Sequence, residues 1–521
     1  MEAEPSAPSP WPLVVVAFGL TTLSALAILF FAQRGELLWY GDATAHINIA
    51  RRIFDSRTPG YEQIGTVWLP VPHLLMLPFV GVARWWSTGL AGAFAGGLCF
   101  VIAGCFLFAA LRRLTSTGAA MMALAVFALN PNLLYLQSTP MSEAPLFAGL
   151  LALFWGLVYF AETGAWLGLG VAAVAAGVTA MTRYEGWFLL PFAALVVLFT
   201  QRRLAPFVTF CAIAGLAPTW WLLHNWIFFG DPLEFYRGLY SAKGIYQTAL
   251  NQGMARYPGD GDWLKAMEYF FAAVRLNVNW VVVVLGTLGL LAALVKRQWW
   301  IFFLALTPIF YVISMHGSGT PIFIPDRWPS SYYNARYGLA ALPLLAGATA
   351  AFIATLPRGA QWPVMFVLAF GTAIPWLAYP RPDNWVSWKE AQVNSVQRRA
   401  WTYPAADYLR QHYRRGDGIL AGFGDQTGIF TAAAIPLKEV LHDGNGPAWF
   451  AATTRPDIFL HETWAVVREG DRVGEALAKL ARVRHPRYVL KTSIRVKGAP
   501  AIEIWRRVAM PIGLPAGNMT Q

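Results

Sequence analysis

The chain has 521 residues, of which 56% are hydrophobic and only 13% are charged. Soluble domains carry about 25% charged residues, so this composition excludes an ordinary soluble protein and predicts a polytopic membrane protein. The formal net charge is +12, but the basic residues sit in short loops rather than in one basic domain. We therefore expect membrane lipids or a phosphorylated lipid as partners, and no nucleic acid.

Apolar runs of roughly 20 residues, each long enough to cross the hydrocarbon core, recur along the first three-quarters of the chain. The first run has neither a basic leading region nor a convincing cleavage site, so we interpret it as a retained helix. The pattern predicts about eleven membrane helices, near residues 11–32, 89–111, 118–137, 144–161, 165–182, 185–200, 205–228, 276–295, 299–315, 335–356 and 362–379.

Arginine and lysine in short loops predict the orientation of these helices. Four basic loops fall on one side and are expected to be cytoplasmic: 111–114, 201–204, 295–298 and 356–359. The remaining loops, and the chain after residue 380, then face outward from a plasma membrane. One outward loop, 33–88, holds five arginines against this rule, and the binding of an anion would explain them.

After residue 381 the composition becomes more polar, which indicates a second domain. Residues 404–413 form an amphipathic pattern typical of a helix, and "RGDGILAGFGD" follows as a turn and a short strand. "RYVLKTSIRV" and "AIEIWRRV" are typical of paired strands around the turn "KGAP". We predict a transmembrane domain over 1–380, with interfacial helices in the loop 33–88, and a soluble extracytoplasmic α/β domain over 381–521.

Ionisable groups near membrane depth are costly, so each is a candidate functional residue. "GDATAHINIARRIF" is typical of an interfacial helix that begins near Asp42, with His46 on the same face. Asp42 would equally serve as the helix N-cap, and His46 as a packing residue. The return segment "WLPVPHLLMLP" brings Trp68 and His73 back to the membrane, where Trp68 also fits an interfacial anchor.

Three further outward segments place charges at helix ends. Glu143 begins the fourth predicted helix, where it either complements the helix dipole or points into an outer cavity. Arg183 and Glu185 lie between two apolar runs and either neutralise each other or serve a site. The segment that leaves the seventh helix, 227–244, holds Asp231 and Lys243. It fits an ordinary amphipathic segment as well as a functional loop.

Arg336 opens the tenth predicted helix among tyrosines, including Tyr337. A snorkelling arginine in an aromatic belt is one interpretation; a planar donor for a phosphate oxygen is the other. Together these carboxylates and cations predict one outer cavity that handles a lipid-linked phosphate. A transporter or flippase is the alternative, but it should show two similar halves and charges near the bilayer midplane, which the sequence does not.

The chain resembles the GT-C superfamily of membrane glycosyltransferases, near its protein mannosyltransferase and aminoarabinose transferase branches. The resemblance covers residues 11–380. It rests on Gly41-Asp42 in the first loop and on the order of five further motifs: "WLPVPHLLMLP", "STPMSEAPLF", "TRYEGWFLLP", "FFGDPLEF" and "ARYGLAALP". Many members have two adjacent acids in the first loop, whereas here Ala43 follows Asp42.

The resemblance implies an enzyme that moves a sugar from a polyprenyl-phosphate donor to a hydroxyl of a protein, lipid or glycan, on the extracytoplasmic face. Asp42 would be the general base of an inverting displacement, and Glu143 would orient the acceptor. The donor phosphate would be bound by Arg336, Arg183, Lys243 and Tyr337. The acceptor or substrate would contact His46, Trp68, His73, Glu185 and Asp231. Asp, Glu and His side chains can hold a divalent ion, but no spacing of these groups requires one, so we expect no obligatory cofactor and leave a divalent metal as the alternative.

Overall fold

The computed structural model describes residues 11–481 and 486–508, and these are mainly helical. The chain divides into two compact units. The helical unit comprises the described parts of Met1–Ile47, Ile64–Gly81 and Thr88–Asn394, and the sheet unit comprises those of Asn48–Gln63, Val82–Ser87 and Ser395–Gln521. The domain boundary at residues 380 and 381 stays a prediction, since the compact units change over at residues 394 and 395.

The chain up to residue 394 is built from helices, several of them short and interrupted. Their bounds are α1 Trp11–Gln33, α2 Gly41–Arg52, α3 Val71–Val80, α4 Ala83–Thr88, α5 Leu90–Leu114, α6 Thr117–Ala128, α7 Pro131–Gln137, α8 Glu143–Thr163, α9 Trp166–Ala180, α10 Glu185–Gln201, α11 Leu204–Phe229, α12 Glu234–Arg237, α13 Ala242–Asn251, α14 Trp263–Val295, α15 Trp300–Phe303, α16 Leu306–His316, α17 Leu342–Ala354, α18 Arg358–Leu377 and α19 Val386–His412. Short 3-10 turns cover Tyr61–Ile64, Ala335–Ala341 and Pro382–Asn384.

Membrane-length helices confirm the predicted polytopic class, although the count of eleven crossings is not confirmed. Within the described residues, seven helices are long and apolar enough to span a bilayer, or eight if α6 and α7, which meet at a 65° bend, count as one span. Helices also occur at the predicted spans 165–182, 185–200 and 299–315, but each has at most 17 residues and is shorter than the helices counted as spans. The 15 residues of α9 rise only about 23 Å, less than a hydrocarbon core of about 30 Å.

The long helix α14 is broken at Asn279, whose φ of 56° and ψ of 165° are not helical. The predicted helix at 276–295 therefore corresponds to its second half, and the first half extends back to Trp263. The carbonyl of Asn277 next to the break accepts hydrogen bonds from Asn130 Nδ2 (2.9 Å) and Asn132 Nδ2 (3.1 Å). Side chains at the α6–α7 bend thus satisfy a backbone group that lipid could not.

This polar centre also fixes the segment that leads into α17. Asn277 Nδ2 donates to the carbonyl of Ala335 at 2.7 Å. A Cβ atom added to Gly338 would lie 2.3 Å from the carbonyl carbon and oxygen of Ala273 in α14. Only glycine permits this close approach, so residues 335–341 are held directly against α14.

The sheet unit contains five strands, and three of them are parallel. Strands β1 Ile419–Ala421, β2 Val440–Leu441, β3 Trp464–Arg468, β4 Tyr488–Ile494 and β5 Ile502–Arg507 are ordered β2-β1-β3-β5-β4. β1 is parallel to β2 and β3, whereas β5 is antiparallel to β3 and β4. The intervening helices are α20 Thr427–Ala433, α21 Pro447–Thr454, α22 Pro456–Phe459 and α23 Arg472–Leu480, with 3-10 turns at Leu437–Glu439 and Asp443–Asn445.

The elements predicted for this region occur in the sheet unit. The helix expected at 404–413 is the end of the longer α19, and β1 follows as expected. β4 and β5 are the antiparallel pair expected around the turn "KGAP". Their unit has its own apolar core, which includes Leu420, Trp449, Ala465 and Val473.

Part of the first loop, residues 48–63, belongs to the sheet unit. Asp55 accepts hydrogen bonds from the backbone N–H groups of Leu437 (3.3 Å) and Lys438 (3.2 Å). Arg57 forms an ion pair with Glu462 at 2.6 Å. Two of the arginines that oppose the orientation rule therefore have partners in protein, since Arg51 also pairs with Asp55 at 2.7 Å.

Candidate active site

The centre of the candidate site is Arg336, whose side chain is only 5% exposed. Its Nη2 lies 2.6 Å from Asp42 Oδ2, its Nη1 lies 2.9 Å from Glu390 Oε1, and its Nε lies 3.2 Å from Glu143 Oε1. One guanidinium group therefore contacts three carboxylates that are far apart in sequence. The structure brings Asp42, Glu143 and Arg336 together, as the sequence predicts.

Asp42 differs from the other two carboxylates in its exposure. It lies in the first turn of α2, and 43% of its side chain is exposed. Glu143 and Glu390 are buried, with side chains 5% and 1% exposed. Of the three carboxylates on Arg336, Asp42 is thus the one that a substrate can reach.

A second arginine, Arg183, joins the same group of residues. Its Nε lies 2.7 Å from Glu185 Oε1, and its Nη2 donates to the Tyr311 hydroxyl at 2.8 Å. Its Nη1 donates to Ser142 Oγ at 2.8 Å and lies 3.5 Å from Glu143 Oε1. The hydroxyl of Tyr311 donates in turn to Glu185.

Glu143 connects the two arginines through a single oxygen. Its Oε1 accepts from Arg336 and from Arg183, whereas its Oε2 is buried and has no hydrogen-bond partner among the described residues. We call Arg183, Arg336 and the carboxylates Asp42, Glu143, Glu185 and Glu390 the charged cluster.

Aromatic rings fix the planes of both guanidinium groups. The ring of Tyr337 lies between them, 4.9 Å from the Arg183 Cζ and 4.8 Å from the Arg336 Cζ. Tyr40 lies 4.9 Å from Arg336 Cζ and donates its hydroxyl proton to the carbonyl of Ser387 at 2.7 Å. Cation–π contacts of this kind contribute about 0.5–2 kcal/mol each, so they add to the orientation of both arginines.

The guanidinium groups have donors left for an anion. Each arginine has five N–H groups, and Arg336 uses three of them on Asp42, Glu143 and Glu390. Arg183 uses four, on Glu185, Ser142, Glu143 and Tyr311. Two donors on Arg336 and one on Arg183 remain beyond these contacts.

His46, Trp68 and His73 form a second group one helical turn from Asp42. His46 Nδ1 and His73 Nε2 are 2.9 Å apart, and the His46 ring centroid lies 4.6 Å from that of Trp68. Burial lowers the pKa of His46 to about 4, despite the opposing charge of Asp42. His46 is therefore neutral at physiological pH and places no positive charge beside Asp42.

Two predicted site residues are not joined to the charged cluster. Lys243 Nζ lies 3.2 Å from the hydroxyl of Tyr236. Asp231 accepts from the backbone N–H of Leu233 at 2.9 Å and lies 3.9 Å from Arg237. Because residues 231–243 fold as α12 and the start of α13, these side chains are paired locally. The expected convergence of Lys243 with Arg183 and Arg336 is not seen in these contacts, and the substrate roles of Lys243 and Asp231 stay predictions.

Three residues of the site were not predicted: Glu390, Tyr311 and Tyr40. Glu390 lies in a polar stretch of mixed charge, where nothing distinguishes it from a surface residue. Tyr311 had a usable signal, since its hydroxyl occurs in the apolar run "IFYVISMH", where a buried phenol needs a partner. Tyr40 precedes Asp42 by two residues and carried no signal of its own.

The site shows no arrangement for a resident metal. Over residues 11–481 and 486–508, no group of three or more His, Cys, Asp or Glu side chains is placed to hold a metal ion. In the charged cluster, guanidinium groups occupy the positions between the carboxylates.

Known proteins share this architecture. Residues 85–222, which include Glu143, Arg183 and Glu185, match the family model of dolichyl-phosphate-mannose-protein mannosyltransferases. A search of curated protein sequences returned no match.

Solved structures of ArnT from Cupriavidus metallidurans resemble the whole chain. The apo structure has a TM-score of 0.57 at 15% identity and covers 94% of this chain and 97% of its own. The structure bound to undecaprenyl phosphate has a TM-score of 0.55 at 13% identity, covering 96% and 98%. An oligosaccharyltransferase from Archaeoglobus fulgidus has a TM-score of 0.48 at 12% identity, covering 87% and 67%.

The chain has the fold of ArnT over most of its length, and residues 85–222 match the family model of the mannosyltransferases. It has the GT-C architecture, so the resemblance inferred from the motifs is confirmed, with ArnT and the protein mannosyltransferases as its similar relatives.

Proposed function

We propose that this protein transfers a sugar from a polyprenyl-phosphate donor to an acceptor hydroxyl on the extracytoplasmic face of the plasma membrane. The observation that supports this most directly is the partly exposed carboxylate of Asp42, held 2.6 Å from the guanidinium of Arg336. A proton acceptor and a group that can bind phosphate thereby occur in one site, and transfer from a sugar phosphate needs both.

In the proposed reaction, Asp42 removes the proton of the acceptor hydroxyl while that oxygen bonds to the anomeric carbon of the donor sugar. The bond between the anomeric carbon and the phosphate oxygen breaks, and its electron pair leaves with the polyprenyl phosphate. The proton ends on the Asp42 carboxylate. Since the acceptor approaches opposite the leaving phosphate, the configuration at the anomeric carbon inverts.

The remaining N–H groups of Arg336 and Arg183 are the proposed donors to the phosphate, and Tyr337 keeps the two guanidinium planes in place. Arginine provides charge and directed hydrogen bonds to phosphate oxygens. Because these groups stabilise the charge that develops on the leaving phosphate, the proposal includes no obligatory metal. Lys243 and Asp231 are left out of it, since their contacts are local.

An apolar groove whose lining includes Met181, two residues before Arg183, supports a polyprenyl carrier. A groove of about 330 Å³ between α9 and α11 is lined by Val174, Gly177, Met181, Leu216, Trp220 and neighbouring apolar residues. The Met181 carbonyl accepts a hydrogen bond from the backbone N–H of Val71 at 3.0 Å. A lipid tail in this groove would place its phosphate near Arg183. The undecaprenyl phosphate bound to ArnT supports the same class of carrier.

The group of His46, Trp68 and His73 is the proposed acceptor side. Its members adjoin Asp42 on α2, and the Trp68 ring offers an apolar face with a polar edge, which suits a sugar or lipid head group. Glu185 contacts Arg183 and Tyr311 instead, so in this proposal it supports the donor side. The acceptor is a hydroxyl of a protein, lipid or glycan.

The proposal is tested with purified protein, a panel of polyprenyl-phosphate sugars and acceptors, and detection of the glycosylated product by mass spectrometry. Asp42→Asn should lower kcat by about 10²–10⁴-fold, because loss of a general base has that size of effect. Asp326→Asn is the matched control: Asp326 is 47% exposed and also pairs with an arginine, Arg275, so its activity should equal that of the wild type. Equal activity of all three proteins would refute the role of Asp42.

The groove is tested separately with Gly177→Phe, which should raise KM for a long-chain donor at least several-fold and leave KM for a short-chain donor unchanged. A Cβ at Gly177 meets only ordinary contacts, the nearest at 3.5 Å, so the added ring fills the groove. Gly170→Phe, on the same helix with nothing within 4 Å of its Cβ, is the control. The same effect at both glycines, or on both donors, would argue against a tail in this groove.

A further inference from the structure

We propose that Glu390 is a positioning residue for the transfer reaction: it fixes the guanidinium of Arg336 so that Nη2 stays on Asp42. The inference rests on the proposed function, because it assigns how the base of that reaction is held.

Glu390 binds both the backbone and the side chain at the start of the Arg336 segment. Its Oε1 accepts from Arg336 Nη1 at 2.9 Å and from the backbone N–H of Asn334 at 3.0 Å. Its Oε2 accepts from the backbone N–H of Arg336 at 3.2 Å. Asn334 has a φ of 57°, in the left-handed region, so the carboxylate stabilises a backbone turn that is unfavourable without a partner. The Glu390 side chain thus binds both the backbone N–H and the guanidinium group of Arg336.

Because the guanidinium group is planar, the contact with Glu390 also fixes the position of the nitrogen that binds Asp42. Glu390 holds Nη1 and Glu143 holds Nε, and these two buried contacts orient the planar group together with the rings of Tyr40 and Tyr337. The third nitrogen, Nη2, is then aimed at Asp42 Oδ2. Without Glu390, Glu143 on Nε is the one buried carboxylate left of these three, and the remaining contact of Nη2 is the partly exposed Asp42 itself. The Asp42 carboxylate then loses a firmly held neighbour.

The turn of α19 that carries Glu390 is held by contacts of Ser387 that do not involve Arg336. One turn earlier in α19, the backbone N–H of Ser387 donates to Asn132 Oδ1 at 2.9 Å, and its hydroxyl donates to Asn277 Oδ1 at 3.2 Å. The Ser387 carbonyl accepts from Tyr40. This turn is therefore a rigid support, which a positioning residue needs.

A purely structural role for Glu390 predicts a loss of stability with no specific effect on turnover. A positioning role predicts that kcat falls while substrate binding is largely kept, because Arg336 still has its free N–H groups for phosphate. A misplacement of about 1 Å at a reacting group costs up to about 100-fold in rate. For Glu390→Gln we therefore expect a kcat lower by about 10- to 100-fold, with donor and acceptor KM values changed less than about threefold.

Two variants in the same turns of α19 serve as matched controls. Ser387→Ala removes one support of this turn but none of the contacts between Glu390 and Arg336, so it should lower the melting temperature and lower kcat by less than about threefold. Lys389→Gln removes a residue next to Glu390 that pairs with the exposed Asp383, and it should change neither. If Glu390→Gln does not fold, Glu390→Asp, which keeps the charge on a shorter side chain, is measured in its place and should also lower kcat.

A double-mutant cycle separates the two roles. Lysine at position 336 has no fork to be oriented, so Glu390→Gln in an Arg336→Lys background should lower kcat by less than about threefold further. The same 10- to 100-fold loss in both backgrounds would show that Glu390 acts independently of Arg336, and the inference would be wrong.

The inference and the proposed function fail in different ways. A wild-type protein that transfers no sugar from any polyprenyl-phosphate donor contradicts the proposed function. A wild-type protein that transfers sugar, together with a folded Glu390→Gln variant of equal kcat, overturns only the role of Glu390.

Discussion

Replacing Arg336 by methionine should destabilise the protein strongly and make its stability depend on pH in a specific direction. Methionine keeps much of the volume of the side chain but removes the charge that Glu143 and Glu390 share. Removing one partner of a buried ion pair costs about 3–5 kcal/mol. The contact with the partly exposed Asp42 adds at most about 1 kcal/mol, since solvent screens it.

The pH dependence follows from Glu390. Burial already raises the pKa of Glu390, and Arg336 is the main group that opposes this rise. In Arg336→Met the folded state therefore binds a proton that the unfolded state releases above a pH of about 4.3. Stability then falls as pH rises, by up to about 1.4 kcal/mol per pH unit for one proton. Protonation at low pH should partly restore the variant.

The assay is thermal or denaturant unfolding of detergent-solubilised protein at pH values from 5 to 8. Arg113→Met is the matched control, because Arg113 pairs with Glu162 at 2.6 Å but both side chains are about one-third exposed. Its loss should be at most about 1 kcal/mol and independent of pH. Equal losses in the two variants, or an Arg336→Met variant that gains stability as pH rises, would refute the reasoning.

Two further predictions follow from the same structure. Gly338→Ala should lower the free energy of unfolding by about 1–3 kcal/mol and lower transfer, because its Cβ would lie 2.3 Å from the Ala273 carbonyl. Gly371→Ala, whose Cβ would have nothing within 4 Å, should change neither. Equal melting temperatures of the two variants would contradict this. The pKa of His46, about 4 against 6.5 when unfolded, means that the unfolded state binds the proton first. Wild-type stability should therefore fall by about 3 kcal/mol as pH drops from about 6.5 to about 4, and His46→Gln should lose this part of the pH dependence in unfolding titrations.

The sequence was sufficient to predict the membrane class and the meeting of Asp42 with Arg336. Both predictions rest on strong physical constraints: apolar length for the helices, and the cost of isolated charges at helix ends for the site. The number of spans was harder, because an apolar run does not reveal where its helix stops. The run that contains α9 ends at Ala180, and residues 181–184 turn the chain before α10 begins.

Glu390 shows why part of the site was beyond sequence reasoning. Its segment looks like an ordinary polar helix, and its function depends on contacts with residues 54 positions away and further. Ala43 replaces the second acid that many GT-C members have in the first loop. Here the further carboxylates that contact Arg336 come from α8 and α19. No local sequence pattern predicts that carboxylates so distant in the chain meet at one arginine. Lys243 shows the opposite limit of sequence reasoning: it lies in an outward loop as predicted, but its contact is with Tyr236 in the same loop.

The break in α14 has a consequence for how the chain is made. The Asn277 carbonyl that it exposes is satisfied by Asn130, 147 residues earlier in the chain. At synthesis rates of about 5–20 residues per second, roughly 7–30 s separate the two asparagines as they leave the ribosome. During that interval the Asn130 side-chain amide needs water, a lipid head group or an insertion factor as a temporary partner. Complete packing of the α6–α7 bend therefore waits until α14 has been synthesised.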